Sequence, residues 1–164
     1  MKYVIIKVDT TGLDPENSDI VKISALKISD DKTELFDTFI NPGVQIPAAA
    51  SRISGICDMD IEDAPTFEMM KKPFLDFIGN LPIIGHNIDF DLKFINKYLD
   101  TPLQNRKMSL MDMARGFGYA GSLKFSNMCS HYGISQDCSV VEKTNLLFNC
   151  MVKDYQKRKD NLDA

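Results

Sequence analysis

The first apolar segment of the chain is nearly continuous, and the next alternates. Residues 3–8 read Tyr-Val-Ile-Ile-Lys-Val, a run suited to a central strand buried on both faces. Ile20–Ile28 alternates, with Ile20, Lys22, Ser24, Leu26 and Ile28 against Val21, Ile23, Ala25 and Lys27. A third strand is expected over Glu34–Ile40, joined through a hairpin turn at Ser29-Asp30-Asp31-Lys32 and ended by Asn41-Pro42-Gly43. Ala48–Ile53 reads as a short helix. Thr66 then precedes Phe67, Met70, Phe74, Phe77 and Ile78 at helical spacing, and Pro73 within that pattern predicts a break or kink. Pro82–Gly85 is a short buried strand feeding a helix over Asp89–Leu99. Further helices are expected around Leu110–Phe117, Ser122–Tyr132 and Val140–Lys157. The pattern predicts one α/β domain over residues 1–156, with a charged tail over 157–164 expected to be disordered. The first three strands should form an antiparallel meander. The fourth should run parallel to the first, because a helix-bearing crossover separates them.

Composition changes this picture little. The 164 residues, 44% hydrophobic and 26% charged, are those of a soluble globular domain with a sizeable core. No apolar run is long enough to span a bilayer, and the N-terminus lacks a secretory apolar stretch, so a cytoplasmic protein without a membrane partner is expected. The four cysteines, Cys57, Cys129, Cys138 and Cys150, contain no CxxC pair and read as reduced thiols. The net charge of −4 gives no global basic footprint for nucleic acid, which leaves room for a local basic groove.

The motifs carry more. Val4–Leu13 reads VIIKVDTTGL, residues 84–95 read IGHNIDFDLKFI, and residues 122–134 read SLKFSNMCSHYGI. With Asn41-Pro42-Gly43, Ala64-Pro65-x-Phe67 and Ala114-Arg115, in this order and spacing, the chain resembles the DEDD (DnaQ-like) superfamily of 3′–5′ exonucleases. The resembling branch holds the proofreading (epsilon) subunit and exonuclease domains of bacterial DNA polymerase III. The resemblance covers nearly the whole chain. It implies a ribonuclease H-like three-layer fold, with a central mixed sheet containing the three-strand meander and flanked by helices.

The resemblance also implies two-metal hydrolysis of a phosphodiester. Two magnesium or manganese ions about 3.5–4 Å apart clamp the attacking and leaving oxygens, so four carboxylates must converge. A histidine acts as general base toward the attacking water. The family's first strand carries Asp-x-Glu before Thr-Thr-Gly; here those positions are Lys7 and Asp9. The His86-Asn87-x-x-Phe90-Asp91 pattern supplies the third acid as Asp91. Aligning the apolar positions of the last helix puts Lys143 at the fourth acid and Cys138 at the histidine. A slip of one residue offers Glu142 and Asp137 instead. Ser54-Gly55-Ile56-Cys57 and Ser109 depart from the family's pattern as well. The turn Thr10, Thr11, Gly12, Leu13, with His86, Asn87 and Phe90, corresponds to the surface that holds the terminal nucleotide.

Each residue also has a plainer reading. Asp9 could be a turn acceptor, and Lys7 a lysine snorkelling to a sheet edge, although Lys7 and Asp9 share one strand face. His86 could be a core histidine and His131 is read as structural. Lys71-Lys72 and Lys157-Arg158-Lys159 read as solvated charge. With two carboxylates replaced by lysines, the expected function is a degenerate exonuclease domain. It would have no metal cofactor and would bind single-stranded nucleic acid or a replication or repair protein. One alternative is an active 3′–5′ exonuclease that uses magnesium or manganese at Asp9, Asp91 and Glu142. The other is a protein-interaction domain with no nucleic-acid role.

Overall fold

The computed structural model describes residues 1–162, and side chains through residue 161. Five strands make one mixed sheet. They are β1 (Tyr3–Thr10), β2 (Ile20–Ile28), β3 (Thr33–Phe39), β4 (Ile83–Gly85) and β5 (Lys107–Ser109), in the order β3-β2-β1-β4-β5. The β1–β2 and β2–β3 pairs are antiparallel, while β4 and β5 extend the sheet in parallel. The expected meander is therefore present, and β1 is central. Among the described residues, seven helices accompany the sheet: α1 (Ala48–Ser54), α2 (Asp58–Ile61), α3 (Phe67–Ile78), α4 (Ile88–Asn96), α5 (Leu110–Gly116), α6 (Phe125–His131) and α7 (Val140–Leu162).

The alternation of β1 divides the core between the two faces of the sheet. Val4, Ile6 and Val8 pack with Phe74 and Ile78 of α3 and with Ile88, Phe94 and Ile95 of α4. Tyr3 and Ile5 pack with Leu110 and Ala114 of α5, Met128 of α6, and Val141, Leu147 and Phe148 of α7. Lys7 and Asp9 continue this second face, beyond the point where the apolar packing stops. Burial of these aliphatic and aromatic side chains is the main force holding helices to sheet, at roughly 1.5–3 kcal/mol for each fully buried one.

Two sequence expectations need correction, and two elements are absent from the sequence reading. Pro73 does not break α3, which is continuous from Phe67 to Ile78. Thr66 caps its start by accepting the Met69 N–H, and Phe67, Phe74 and Ile78 are buried on one stripe, so packing offsets the hydrogen bond that proline removes. Strand β5 and helix α2 were not visible as elements. Each is three or four residues long, too short to show a period. Finally, α7 continues through Leu162 across the expected tail boundary. Arg158 pairs with Asp154 at 2.8 Å, Gln156 donates to Asp160 at 2.9 Å, and Tyr155 stacks on Phe117, all of which favour the helical extension. Residues 163–164 of that segment lie outside the described residues.

Candidate functional site

The site lies where β1 outruns β4. Val4 N–H donates to Pro82 O at 2.9 Å, but β4 ends at Gly85. Two residues beyond Ile6, Val8 N–H points to the same side and donates to Asp91 Oδ1 at 3.0 Å. A carboxylate from α4 thus takes the place of a missing strand carbonyl. Asp91 is 2% exposed. Lys7 Nζ stands 3.5 Å from Asp9 Oδ1 and 3.9 Å from Asp91 Oδ1, and donates to the carbonyl of Val8. Burial pushes the Asp91 carboxyl up to about 7; Lys7 and the Val8 N–H oppose the rise, and Asp9 adds to it. Desolvation therefore outweighs the nearby ammonium.

Antiparallel register extends this cluster across the sheet. Lys7 lies opposite Ser24, and Asp9 opposite Lys22. Ser24 lies opposite Asp37 and donates to its Oδ1 at 2.5 Å; Lys22 pairs with Asp37 Oδ2 at 3.1 Å. A bulge between Asp9 and Thr10 ends the regular pairing.

The start of α7 closes the charged side. Ser139 donates through N–H and Oγ to Glu142 Oε2 at 2.8 and 2.7 Å, and Glu142 N–H donates back to Ser139 Oγ at 3.4 Å. This is a capping box, and these hydrogen bonds hold the exposed Glu142 carboxyl below its usual range. Glu142 therefore turns outward, away from the cavity. Lys143, the next residue, lines a cavity of about 750 Å³ together with Lys7, Asp9, Lys22, Ser24 and Asp37. Asp137 is exposed and accepts from Ser135 Oγ at 3.0 Å. Cys138 is half-buried, its thiol directed at Ser135 O. None of Glu142, Asp137 and Cys138 lines this cavity.

An apolar cavity of about 370 Å³ adjoins the charged one and shares Lys7, Asp9, Ile53 and Ser54 with it. Its walls are the turn Thr10–Leu13, the α1 residues Ala50 and Ile53, and Phe90. The turn is rigidly held. Thr11 N–H donates to Asp19 O at 2.8 Å, Thr11 Oγ accepts the Asp19 N–H at 2.9 Å, and Thr10 Oγ donates to Gly12 O at 2.6 Å. A Cβ on Gly12 would lie 2.5 Å from Ser18 Oγ, so a larger residue there would force that hydroxyl to move. Behind the turn, Asp19 accepts from Lys97 at 2.7 Å and from Tyr98 at 2.8 Å.

The fold thus gathers Lys7, Asp9, Asp91, Lys143, Thr10–Leu13 and Phe90 around one cleft. Asn87 is exposed at the start of α4 and lines neither cavity. His86 lies beside the cleft, half-buried, its ring 5.1 Å from that of Phe125 and its Nδ1 without a hydrogen-bond partner. Burial lowers its basicity; the Leu123 backbone opposes this and Lys7 adds to it. Sequence reasoning missed Lys22, Ser24, Asp37 and Ala50. The β2–β3 hairpin register would have paired Ser24 with Asp37, but would not have placed them opposite Lys7. The Ser139-x-x-Glu142 spacing is itself a capping signature that marks Glu142 as a helix-start residue.

Residues 4–138 match the exonuclease family RNase_T. The chain belongs to the RNase_T exonuclease family. It is 28% identical over 169 residues to the PolC-type DNA polymerase III of Clostridium perfringens, covering 99% of this chain and 12% of that protein. It is 35% identical over 97 residues to the DNA polymerase III epsilon subunit of Aquifex aeolicus, covering 58% of this chain and 48% of that one. The chain therefore spans less than half the length of these relatives. Exonuclease I superposes with a TM-score of 0.79 at 16% identity, over 96% of this chain and 43% of that one. Exonuclease X, solved with 5′ overhanging duplex DNA, superposes with a TM-score of 0.72 at 16% identity, over 95% and 92% of the two chains. The sheet order and flanking helices are thus those of a DEDD-superfamily exonuclease domain with a ribonuclease H-like fold. Among the described residues of this RNase_T-family domain, no three His, Cys, Asp or Glu side chains converge in a group able to hold a metal ion, and no helix is long and apolar enough to cross a membrane.

Proposed function

We propose that this domain is a degenerate 3′–5′ exonuclease that binds single-stranded nucleic acid without cutting it, in DNA or RNA metabolism and hence in the cytoplasm. The observation that carries this reading is the Lys7 ammonium, 3.5 Å from Asp9 and 3.9 Å from Asp91. Two carboxylates that would share a divalent ion share a side-chain cation instead. A divalent ion placed about 4 Å from that ammonium meets repulsion of several kcal/mol at an effective dielectric near 20. Lys143 adds a second positive charge to the same cleft. The donor set does not fit a pair of magnesium or manganese ions.

General-base chemistry is poorly supplied too. Cys138 does not line the charged cavity, and Glu142 is committed to the α7 cap. Binding has better support. The apolar cavity, walled by the Thr10–Leu13 turn and Phe90, offers a ledge on which a base can stack without metals. The exonuclease and polymerase relatives make nucleic acid, or a replication or repair protein bound to it, the natural partner by analogy.

Digestion of single-stranded DNA and RNA, with magnesium and with manganese, tests the loss of chemistry. No shortened product is expected, and metal-dependent trimming from the 3′ end would restore the active-nuclease reading. Fluorescence anisotropy with a labelled oligonucleotide tests binding. Affinity should fall as salt rises. An absence of binding at low salt would remove the nucleic-acid role and leave protein interaction.

A further inference from the structure

The three lysines of the charged cavity are not equally satisfied. Lys22 pairs with Asp37 at 3.1 Å and lies 5.1 Å from the centre of the Phe39 ring. Lys7 lies between Asp9 and Asp91. Lys143 is half-buried, yet among the described residues it has no carboxylate within 4.0 Å and no side-chain hydrogen bond. A lysine can bury its stem and keep its head in water, so this unpaired ammonium is placed to meet an incoming anion. Lys7, Lys22 and Lys143 outnumber the two acids, Asp9 and Asp37, that line the same cavity. The helix end is not the source of this positive character, because Glu142 already accepts from Ser139 and answers it. The lysines are.

The cavity has the shape of half a site. Its charged part holds Lys143 and Lys7; its apolar neighbour of about 370 Å³ shares Lys7, Asp9, Ile53 and Ser54. A ligand filling both would be apolar at one end and anionic at the other. We propose that Lys143, helped by Lys7, binds the phosphate of a nucleotide directly, with no divalent ion between protein and phosphate. This deepens the reading of the domain as a non-cleaving nucleic-acid binder and rests on it for the choice of ligand. An ammonium suits the task, as a compact charge with three donors on a flexible stem that can follow a tetrahedral oxyanion.

The test uses the full chain in EDTA at low salt and follows backbone amide signals during titration. The probes are thymidine 5′-monophosphate, thymidine and inorganic phosphate. The monophosphate should bind in EDTA, shifting the signals of both the Thr10–Gly12 turn and the start of α7, and thymidine should bind about tenfold or more weakly. Lys143→Gln should weaken monophosphate binding about tenfold to a hundredfold, as expected for a lost charge-assisted hydrogen bond. Lys143→Arg should recover most of it. Lys72→Gln, at an exposed lysine paired with Asp76, should change nothing. Equal affinity for thymidine and its monophosphate would overturn the proposal without needing any variant. So would monophosphate binding that requires magnesium, or a Lys143→Gln protein that binds normally. If the monophosphate binds as described but oligonucleotides do not, the phosphate site stands and the nucleic-acid reading fails. If oligonucleotides bind the Lys143→Gln protein unchanged, that reading stands and the phosphate site fails.

Discussion

Two lysine–carboxylate clusters bracket the turn between β1 and β2. At the far end, Asp19 accepts from Lys97 at 2.7 Å and Tyr98 at 2.8 Å, and Lys97 also donates to Ser18 O at 2.9 Å. Burial alone would raise the Asp19 carboxyl, but these hydrogen bonds leave it below its usual range. At the cleft end, Lys7 lies 3.5 and 3.9 Å from its two carboxylates, beyond good hydrogen-bond reach, and donates to the Val8 carbonyl instead. Asp91 is pushed up to about 7, chiefly by burial. The first cluster is built to hold a turn, and its bonds are closed among its own members. The second keeps charged groups close but imperfectly matched, as expected where a site retains room for something to bind.

The largest expected effect separates the two clusters by pH. The folded Asp91 carboxyl is raised from 3.8 to about 7. Between those values the folded protein holds a proton that the unfolded chain releases, so stability should fall as pH rises through this window and stay low above it. The full cost is on the order of 4 kcal/mol, taken from the width of that window. Asp91→Asn should therefore be more stable than the parent at pH 8 and show a flatter profile between pH 4 and 8 in urea unfolding. Parallel profiles would show that Asp91 is ionised and well matched, like Asp19.

The lysines should differ next. Lys97→Met leaves Asp19 with Tyr98 alone, and should cost about 1–2 kcal/mol for these part-buried groups. Lys7→Met should cost less at pH 6, under about 1 kcal/mol, because Asp91 can stay protonated there. The cost should grow as pH rises toward 8. Equal costs at both pH values would contradict the contrast drawn between the clusters.

How much of this was legible is clearest residue by residue. The alternation along β1 placed Lys7 and Asp9 on one face, and the His-Asn motif singled out Asp91. The hydrogen bond from Val8 to Asp91 was not legible, because it depends on β4 ending early. Lys22, Ser24 and Asp37 enter the cleft through cross-strand register, which no local pattern states. Ala50 and Ile53 reach it from a helix far along the chain. Glu142 is the instructive case: its role as a cap is written in Ser139-Val140-Val141-Glu142, a spacing that also fits the fourth acid after a slip of one residue.

A smaller effect sharpens that last point. Ser139→Ala removes the cap, and should lower stability by about 1 kcal/mol. It should still bind no divalent ion, since Glu142 does not line the cleft. A gain of metal binding in this variant, with Glu142 released, would instead favour the altered active site.

The most direct test of the central claim is calorimetric titration of the unmodified protein with magnesium and then manganese, compared with the Lys7→Asp, Lys143→Asp double variant. The unmodified protein should show no saturable binding in the micromolar to low millimolar range, and the double variant should gain it. Tight, saturable binding of either ion to the unmodified protein would contradict the account, because Lys7 and Lys143 would then not exclude the metals from this cleft.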